Sequence, residues 1–320
     1  MAEKLYPRKL IPQLLKYLNT REAIVVYGAR QVGKTHLLKY LIEHHLSGNS
    51  FYLDLELPPL LELCNRGPEK VYEYLLQKGA NSSQTIYLFI DEVQYLDNPT
   101  NFIKIAHDHF PQLKLIVSGS STFEIRKKFK ESLAGRTINF ELYPLSFEEF
   151  LLFKEKRFVL SPENNPAINA ELIPLAEEFI KYGGYPKIVL EPSEEKKQAY
   201  LYQLIDTYVK KDIRNLGNIR NISAFNKLME ILASQSGKLL NVSELASTTG
   251  INQITLVNYL DLLENTFIIK RITPFHKNLR SELYKNPKLF LLDTGMMHLL
   301  WMKEFPKVIS GEAFETIIFT

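Results

Sequence analysis

The sequence predicts an α/β protein whose first half carries a five-stranded parallel sheet and whose second half is mainly helical. Short apolar runs rich in β-formers alternate with helical patterns in the first half, as in parallel sheets covered by helices on both faces. A glycine-containing turn joins the first run directly to a helical pattern. Beyond residue 146 the strand signal fades and helical patterns dominate. These observations predict an α/β domain followed by a second, helical half.

The composition is typical of a soluble globular protein. The 320 residues are 45% apolar, 23% charged and 12% aromatic, a balance that excludes long disordered segments. The length predicts two or three domains, and the net charge of +3 is too small by itself to indicate a nucleic-acid partner. The single cysteine, Cys64, cannot form an intramolecular disulfide, and neither a signal-peptide pattern nor a long apolar span is recognisable. We therefore expect a cytoplasmic protein.

The first predicted domain comprises residues 1–146. Its strands are expected where Ile, Val, Leu, Phe and Tyr are concentrated, because these residues favour a pleated, buried backbone. The predicted strands are 24–27, 51–55, 86–90, 114–118 and 138–142, and the predicted helices are 34–45, 68–78, 101–109 and 122–133.

The second half divides into two predicted domains and the beginning of another. Helical patterns at 147–157, 170–182 and 194–214, interrupted by a Pro- and Asn-rich break at 161–166, predict a helical lid over 147–218. Over 219–295, helices are expected at 223–233, 243–247 and 253–264, followed by β-rich runs at 267–275 and 288–292. Three helices followed by a hairpin predict a winged helix-turn-helix. Residues 296–320 are expected to begin a further domain.

One motif directly follows the first strand and opens the first helix. It matches the pattern G-x-x-x-x-G-K-[ST], in which glycines let the backbone amides and the helix N-terminus point at nucleotide phosphates. Lys34 is expected to reach the outer phosphates, and the Thr35 hydroxyl to ligate Mg²⁺. The alternative is a glycine-rich turn with an exposed lysine. The predicted nucleotide-binding residues here are Gly28, Ala29, Arg30, Gln31, Val32, Gly33, Lys34, Thr35 and His36.

Two carboxylates follow the third predicted strand, at the sheet edge where ligands bind in open α/β folds. Asp91 is expected to hold Mg²⁺, and Glu92 is placed to act as a general base on an attacking water. The Asp-Glu pair and the extra strand at 51–55 favour an ATP-hydrolysing protein over a GTPase or a nucleotide kinase. The alternative is a solvated carboxylate pair.

A hydroxyl group ends the fourth predicted strand, which reads Ile116-Val117-Ser118-Gly119-Ser120. Ser118 is the stronger candidate, ahead of Ser120, for a group that lies between the carboxylates and the γ-phosphate. There it would orient water or respond to loss of the phosphate. A simple strand cap is the alternative.

With these motifs the chain resembles the AAA+ ATPases, and within them a prokaryotic family with a helical and winged-helix C-terminal half. The resemblance covers nearly the whole chain and implies MgATP as the cofactor. In relatives the chain commonly continues into a restriction-endonuclease-like domain, so cleavage activity is not expected within these 320 residues. The matching segments are 28–35, 89–94, 117–120, 133–136, 142–147, 183–186 and 290–295.

The resemblance also implies three roles outside the phosphate loop. Arg136 stands just before the fifth strand, where AAA+ relatives often carry an arginine that reaches the γ-phosphate of a neighbouring subunit, so homo-oligomers are expected. The alternative is an ion pair within its own subunit. Pro186, in the segment Gly184-Tyr185-Pro186, corresponds to a proline that packs near adenine in relatives, and a simple turn is the alternative. Arg8 is a weaker candidate for the base pocket.

The basic charge is concentrated in the predicted winged helix. Residues 205–290 contain twelve Lys or Arg and seven Asp or Glu, an excess that favours contact with DNA phosphates. The predicted recognition helix, however, begins with Asn and Gln and no basic residue, so packing on the ATPase or on a protein partner stays open. The basic residues and the histidine of the predicted wing are Lys270, Arg271, His276, Lys277, Arg280, Lys285 and Lys288.

Taken together, the sequence predicts Mg²⁺-dependent ATP binding and hydrolysis coupled to rearrangement of a winged-helix region that contacts double-stranded DNA. A nucleotide-gated switch with negligible turnover, which binds DNA or a protein, is the alternative.

Overall fold

The computed structural model describes residues 4–46, 48–120, 133–159, 161, 165–207, 219–274 and 286–319. The chain divides into two compact units, Met1–Leu142 and Tyr143–Thr320. The first unit holds a five-stranded sheet in which every neighbouring pair of strands is parallel, so the predicted α/β fold class is confirmed. In the described part of the chain, no helix is both long enough and apolar enough to cross a membrane.

The sheet of the first unit brings the carboxyl ends of its strands to one edge. The spatial order of the strands is β2-β3-β4-β1-β5. All six residues of β1 are buried, as expected of a strand with neighbours on both sides and helices on both faces. Each strand agrees with its predicted range to within two residues. The strands are β1 Ala23–Gly28, β2 Ser50–Asp54, β3 Ile86–Asp91, β4 Leu113–Ser120 and β5 Thr137–Leu142.

Among the described residues of the first unit, three helices begin with proline. Proline is suited to the first helical turn because its fixed backbone angle is already helical and its missing N–H has no partner there in any case. Cys64 is buried in one of these helices, and burial raises the pKa of its thiol to about 12. Of the predicted helix 122–133, only its last residue lies within the described residues. The helices are α1 Ile11–Leu15, α2 Lys34–His45, α3 Pro58–Asn65, α4 Pro68–Gln77 and α5 Pro99–His109.

The second unit is mainly helical, and a polar side chain caps the N-terminus of several of its helices. Ser146 forms a reciprocal capping box with Glu149, which satisfies backbone donors at the start of the first helix. Of the predicted helix 194–214, the part from 208 onward lies outside the described residues. The helices are α6 Phe147–Phe153, α7 Pro166–Tyr182, α8 Pro186–Leu190, α9 Glu194–Leu204, α10 Ile222–Ser234, α11 Val242–Thr249, α12 Gln253–Asn265, α13 Thr294–Trp301 and α14 Gly311–Phe319.

A two-stranded antiparallel sheet follows α12. Its strands are β6 Ile269–Ile272 and β7 Lys288–Leu291, with Ile269 paired to Leu291. Three helices followed by this sheet is the element order that the winged-helix prediction requires. Residues 275–285, which carry most of the predicted wing, lie outside the described residues. The finer division of the second unit at 147–218, 219–295 and 296–320 remains a prediction.

Three sequence segments that are far apart in the chain meet at the buried carboxylate of Asp293. One carboxylate oxygen accepts a hydrogen bond from the Gly184 backbone N–H at 2.7 Å, and the other accepts from the Met296 N–H at 2.8 Å. The Gly184 carbonyl in turn accepts from the Leu145 N–H at 2.7 Å. A Cβ atom at Gly295 would lie 2.1 Å from the Tyr182 carbonyl oxygen, so only glycine fits there. Asp293 therefore ties the start of α13 to the turn before α8.

Replacing Asp293 with alanine is expected to lower the melting temperature of the protein. The substitution leaves buried N–H groups without an acceptor, at a cost of about 3 kcal/mol. For a unit of this size that corresponds to a shift of roughly 5 to 10 °C in a thermal unfolding scan. Glu304→Ala is the matched control, because Glu304 is exposed in the same unit. An unchanged melting temperature for Asp293→Ala would contradict this role.

The same variant should show a characteristic dependence on pH. Burial raises the pKa of Asp293 from its ordinary value of 3.8 to about 6, so the folded protein binds a proton more tightly than the unfolded chain. The stability from this group is therefore fully present below about pH 4 and is lost as the pH rises through about 6. The difference in melting temperature between wild type and Asp293→Ala should be larger at about pH 4.5 than at about pH 7.5.

Candidate functional site

The predicted phosphate loop connects β1 to α2 at the carboxyl edge of the sheet. Gly28 ends β1, and a Cβ atom there would lie 2.5 Å from the Leu142 carbonyl oxygen at the end of β5. Gln31 and Gly33 have φ angles of 64° and 94°, in the left-handed region. Such a compact loop before a helix turns successive backbone N–H groups towards one side, which is the geometry of an anion site.

Lys34, the first residue of α2, is buried within this loop. Its side chain is only 5% exposed, and its ammonium donates to the carbonyl oxygens of Gly28 at 3.2 Å and Ala29 at 3.0 Å. Burial lowers the pKa of the Lys34 ammonium, and the carboxylates of Glu92 and Asp91 oppose that shift. An exposed lysine in a plain turn was the alternative at this position, and the structure does not support it.

Asp91, the last residue of β3, collects hydroxyl groups from three different elements. Its Oδ2 atom accepts from the hydroxyls of Thr35 on α2, at 2.5 Å, and Tyr52 on β2, at 2.8 Å. Its Oδ1 atom accepts from the Ser118 hydroxyl on β4 and from the Glu92 N–H at 3.1 Å. Asp91 is 2% exposed, so these donors replace water around the carboxylate.

Glu92 lies immediately beyond β3 and has an unusual backbone conformation. Its φ and ψ angles are 57° and 46°, a left-handed geometry that is uncommon for residues other than glycine and is concentrated at functional sites. Its carboxylate accepts a hydrogen bond from the side-chain amide of Gln94. The turn that follows, Val93–Tyr95, therefore supplies a hydrogen-bond donor to the Glu92 carboxylate.

Ser118 is fully buried in β4, between the strands that carry the other site residues. It is paired with Val26 of β1, and the preceding residue, Val117, is paired with Ile90 of β3. This register explains why its hydroxyl reaches Asp91. The structure thus brings the predicted residues Lys34, Thr35, Asp91, Glu92 and Ser118 together.

Sequence reasoning missed two contacts of this site and underrated a third. No role was predicted for Tyr52, although its phenol reaches Asp91; burial and this carboxylate raise the pKa of Tyr52. Gln94 was noted only as part of a motif. Arg8, proposed for the base pocket, is 5% exposed and donates to the Val32 carbonyl oxygen of the phosphate loop at 2.8 Å. No local sequence signal marks Tyr52, because its contact with Asp91 depends on the pairing of β2 with β3.

Arg136 lies at the opposite edge of the sheet from the phosphate loop. Its backbone carbonyl accepts from the N–H of Ala23, the first residue of β1, at 2.8 Å. Its guanidinium forms a two-pronged ion pair with Asp108, with distances of 2.9 and 3.0 Å. The intrasubunit ion pair that was the alternative for Arg136 is therefore present. Within one chain this arginine does not belong to the phosphate site.

Other predicted residues lie in the second unit. Pro186 begins the short helix α8, and its assignment to the adenine remains a prediction. Arg271 is paired with Asp261 at 2.6 Å and Glu264 at 2.7 Å, and Lys288 is paired with Glu315 at 2.6 Å. Lys270 lies 3.8 Å from Glu264. His276, Lys277, Arg280 and Lys285 lie outside the described residues.

The residues at the carboxyl edge fit a magnesium nucleotide. The buried Lys34 ammonium is held by carbonyl oxygens inside a loop of left-handed residues, where an anion can take the place of those contacts. The Thr35 hydroxyl and the Asp91 carboxylate supply the hard oxygen atoms that Mg²⁺ prefers. A parallel sheet with this loop and these carboxylates at its carboxyl edge defines a protein of the P-loop class.

Comparisons with known proteins agree with that class. Residues 20–151 match the family model described as AAA domain, and residues 173–306 match one described as Domain of unknown function (DUF8612). The chain is 30% identical over 316 residues to the uncharacterized protein MJ1544 of Methanocaldococcus jannaschii, with 97% of this chain and 67% of that protein covered. The chain therefore belongs to the same family as this archaeal protein, and its residues 20–151 match an AAA domain.

Two further similarities extend the comparison. An uncharacterized protein of Haemophilus influenzae is 28% identical over 298 residues, covering 89% of this chain and 71% of that protein. Among solved structures, the Walker-type ATPase paby2304 of Pyrococcus abyssi matches with a TM-score of 0.59 at 14% identity, covering 93% of this chain and 97% of that one. At this identity the structural match supports the fold alone.

Proposed function

We propose that this protein binds ATP with Mg²⁺ and hydrolyses it. The observation that carries the proposal is the contact between Thr35, at the start of the phosphate-loop helix, and Asp91, at the end of β3. This pair joins the two predicted motifs in one site, with Lys34 buried beside them. The AAA domain match over residues 20–151 supports the same conclusion.

The phosphate loop binds the triphosphate in this proposal. Its backbone N–H groups from Gly28 to His36 surround the phosphates, and the Lys34 ammonium exchanges its carbonyl contacts for the outer phosphates. Thr35 and Asp91 would hold Mg²⁺, which would supply positive charge to the phosphates. Pro186 remains our candidate for contact with the adenine.

Glu92 takes the proton from the attacking water, as a general base. Gln94 holds the Glu92 carboxylate through its side-chain amide. Ser118, which donates to Asp91, connects the metal-binding carboxylate to β4. Loss of the γ-phosphate would therefore change the contacts of Ser118, near the end of β4.

Steady-state ATP hydrolysis as a function of protein concentration tests the proposal. We expect turnover with Mg²⁺, none with excess EDTA, and little with GTP in place of ATP. ATP binding without turnover at any protein concentration would overturn the enzymatic part and leave a nucleotide-gated switch. Absence of binding would overturn the proposal as a whole.

In this proposal Arg136 acts on the phosphate site of a neighbouring subunit, because it lies at the opposite edge of the sheet from the phosphate loop of its own chain. Arg136→Ala is expected to remove the rise of turnover with protein concentration, since an arginine from a neighbouring subunit neutralises charge in the transition state. The hydrolysis assay over a dilution series measures this effect. Asp108→Ala is the matched variant, because it breaks the same ion pair and keeps the arginine. Equal loss in both variants would indicate a structural role only.

Contact of the winged-helix region with double-stranded DNA is a separate part of the functional prediction. The described cations of the predicted wing are paired with carboxylates of their own unit; they are Lys270, Arg271 and Lys288. DNA binding would therefore depend mainly on the basic residues within 275–285. Binding to a duplex that weakens with rising salt, and with Lys277→Ala or Arg280→Ala, would support this contact. If the protein does not bind the duplex at any salt concentration, a protein partner is favoured for this region.

A further inference from the structure

Tyr52 lies on β2, the edge strand beside the carboxylate strand. β2 and β3 are parallel, and Tyr52 is paired with Phe89, two residues before Asp91. Residues two apart on a strand share a face, so the ring of Tyr52 and the side chain of Asp91 are diagonal neighbours. Long side chains reach across that diagonal, and the phenol donates to Asp91 Oδ2 at 2.8 Å.

The hydrogen bonds around Asp91 define its orientation. The two oxygens of Asp91 accept hydrogen bonds from three hydroxyls and one backbone N–H. The hydroxyls of Thr35 and Tyr52 both bind Oδ2, whereas Ser118 binds Oδ1. Without the phenol, Thr35 is the remaining side-chain donor to Oδ2 among the contacts described for that atom.

We propose that Tyr52 is a positioning residue for magnesium, which fixes Asp91 so that Oδ2 faces Thr35 and the metal. The inference rests on the proposed function and adds a residue of β2 to the site. Tyr52 does not touch the nucleotide in this scheme. It acts through Asp91, in the way that outer-shell partners of metal sites orient the groups nearest the metal.

This role predicts a specific separation of two affinities. Metal-free nucleotide binding depends on Lys34 and the amides of the phosphate loop, whereas the hydrogen bond described for the Tyr52 phenol goes to Asp91. Metal-assisted binding depends on the orientation of Asp91, so loss of the phenol should weaken it. Removing an outer-shell partner typically lowers metal affinity by about 10- to 100-fold. A residue that only stabilises β2 would change both affinities together.

The test uses Tyr52→Phe, which removes only the hydroxyl group. Calorimetry with ATP, first in EDTA and then over a series of MgCl₂ concentrations, measures both affinities. We expect metal-free ATP affinity within about twofold of wild type and a half-saturating Mg²⁺ concentration about tenfold higher. Tyr87→Phe is the matched control on β3, because its hydroxyl bonds Asn19 at 3.3 Å on the surface. The control should match wild type in both measurements.

The possible results separate this inference from the proposed function. If Mg²⁺ strengthens ATP binding equally in wild type and Tyr52→Phe, the inference is overturned and the proposed function stands. Equal weakening with and without Mg²⁺, together with a lower melting temperature, would assign Tyr52 a structural role and also overturn it. A wild-type protein that binds no ATP would overturn both.

Discussion

Lys34→Ala is expected to weaken ATP binding by about 100-fold or more and to abolish hydrolysis. The lysine is buried in the phosphate loop, where a charge-assisted bond to phosphate has little competition from water. The loss of about 3 kcal/mol for such a bond corresponds to a factor of roughly 100 in the dissociation constant. Calorimetric titration with ATP measures the change directly.

Lys39→Ala is the matched control for this prediction. Lys39 lies on the same helix α2 and is exposed. The control therefore removes an equal charge and leaves the phosphate loop unchanged. It should bind and hydrolyse ATP as wild type does. The melting temperature of Lys34→Ala should stay close to that of wild type, because the variant also relieves the burial of a charge. Wild-type affinity in Lys34→Ala would show that the loop does not hold the phosphates.

The parts of the site that could be predicted from sequence are those that local patterns encode. A β-rich run, a glycine-containing turn and a helix stand next to one another in the chain, so Gly28 to Thr35 could be placed on a strand, a loop and a helix. Asp91 follows a long apolar run and must therefore lie where that strand ends. Parallel strands then place both segments at one edge of the sheet.

Contacts that depend on register could not be predicted in the same way. Tyr52 reaches Asp91 because β2 is aligned with β3 residue by residue, with Asp54 opposite Asp91. No local feature of either strand encodes that alignment. The ion pair of Arg136 with Asp108 likewise joins the end of α5 to the start of β5, and it becomes visible only in the folded chain.

Proline explains the main differences in the helices. The segment Leu57-Pro58-Pro59-Leu60 has the composition of a turn, and no helix was predicted there, yet α3 begins at Pro58. Similarly, α7 begins at Pro166, which lies in the predicted break at 161–166, and Asn165 caps it. A proline in the first turn is compatible with a helix, because the N–H that it lacks has no partner there. In α7 the helix also continues through a second proline, Pro174. Composition alone does not distinguish these positions.

Glu92→Gln is expected to lower turnover by about 1000-fold while leaving ATP affinity near that of wild type. A general base contributes about 10² to 10⁴ in rate, and glutamine keeps the size of the side chain but cannot accept the proton from water. Single-turnover hydrolysis, measured beside ATP binding, separates the two effects. Glu56→Gln is the matched control, because Glu56 is an exposed carboxylate on the loop after β2 in the same unit.

The geometry of Glu92 lets this variant distinguish an ATP-hydrolysing enzyme from a nucleotide-gated switch without turnover. Its carboxylate accepts from Gln94, and a glutamine at position 92 can still accept that bond through its own carbonyl oxygen, so the turn at 93–95 should be preserved. Any loss of turnover then reports proton transfer rather than a displaced loop. If wild type hydrolyses ATP no faster than Glu92→Gln while both bind it, the carboxylate is not a base. Nucleotide occupancy would then act as a switch without turnover.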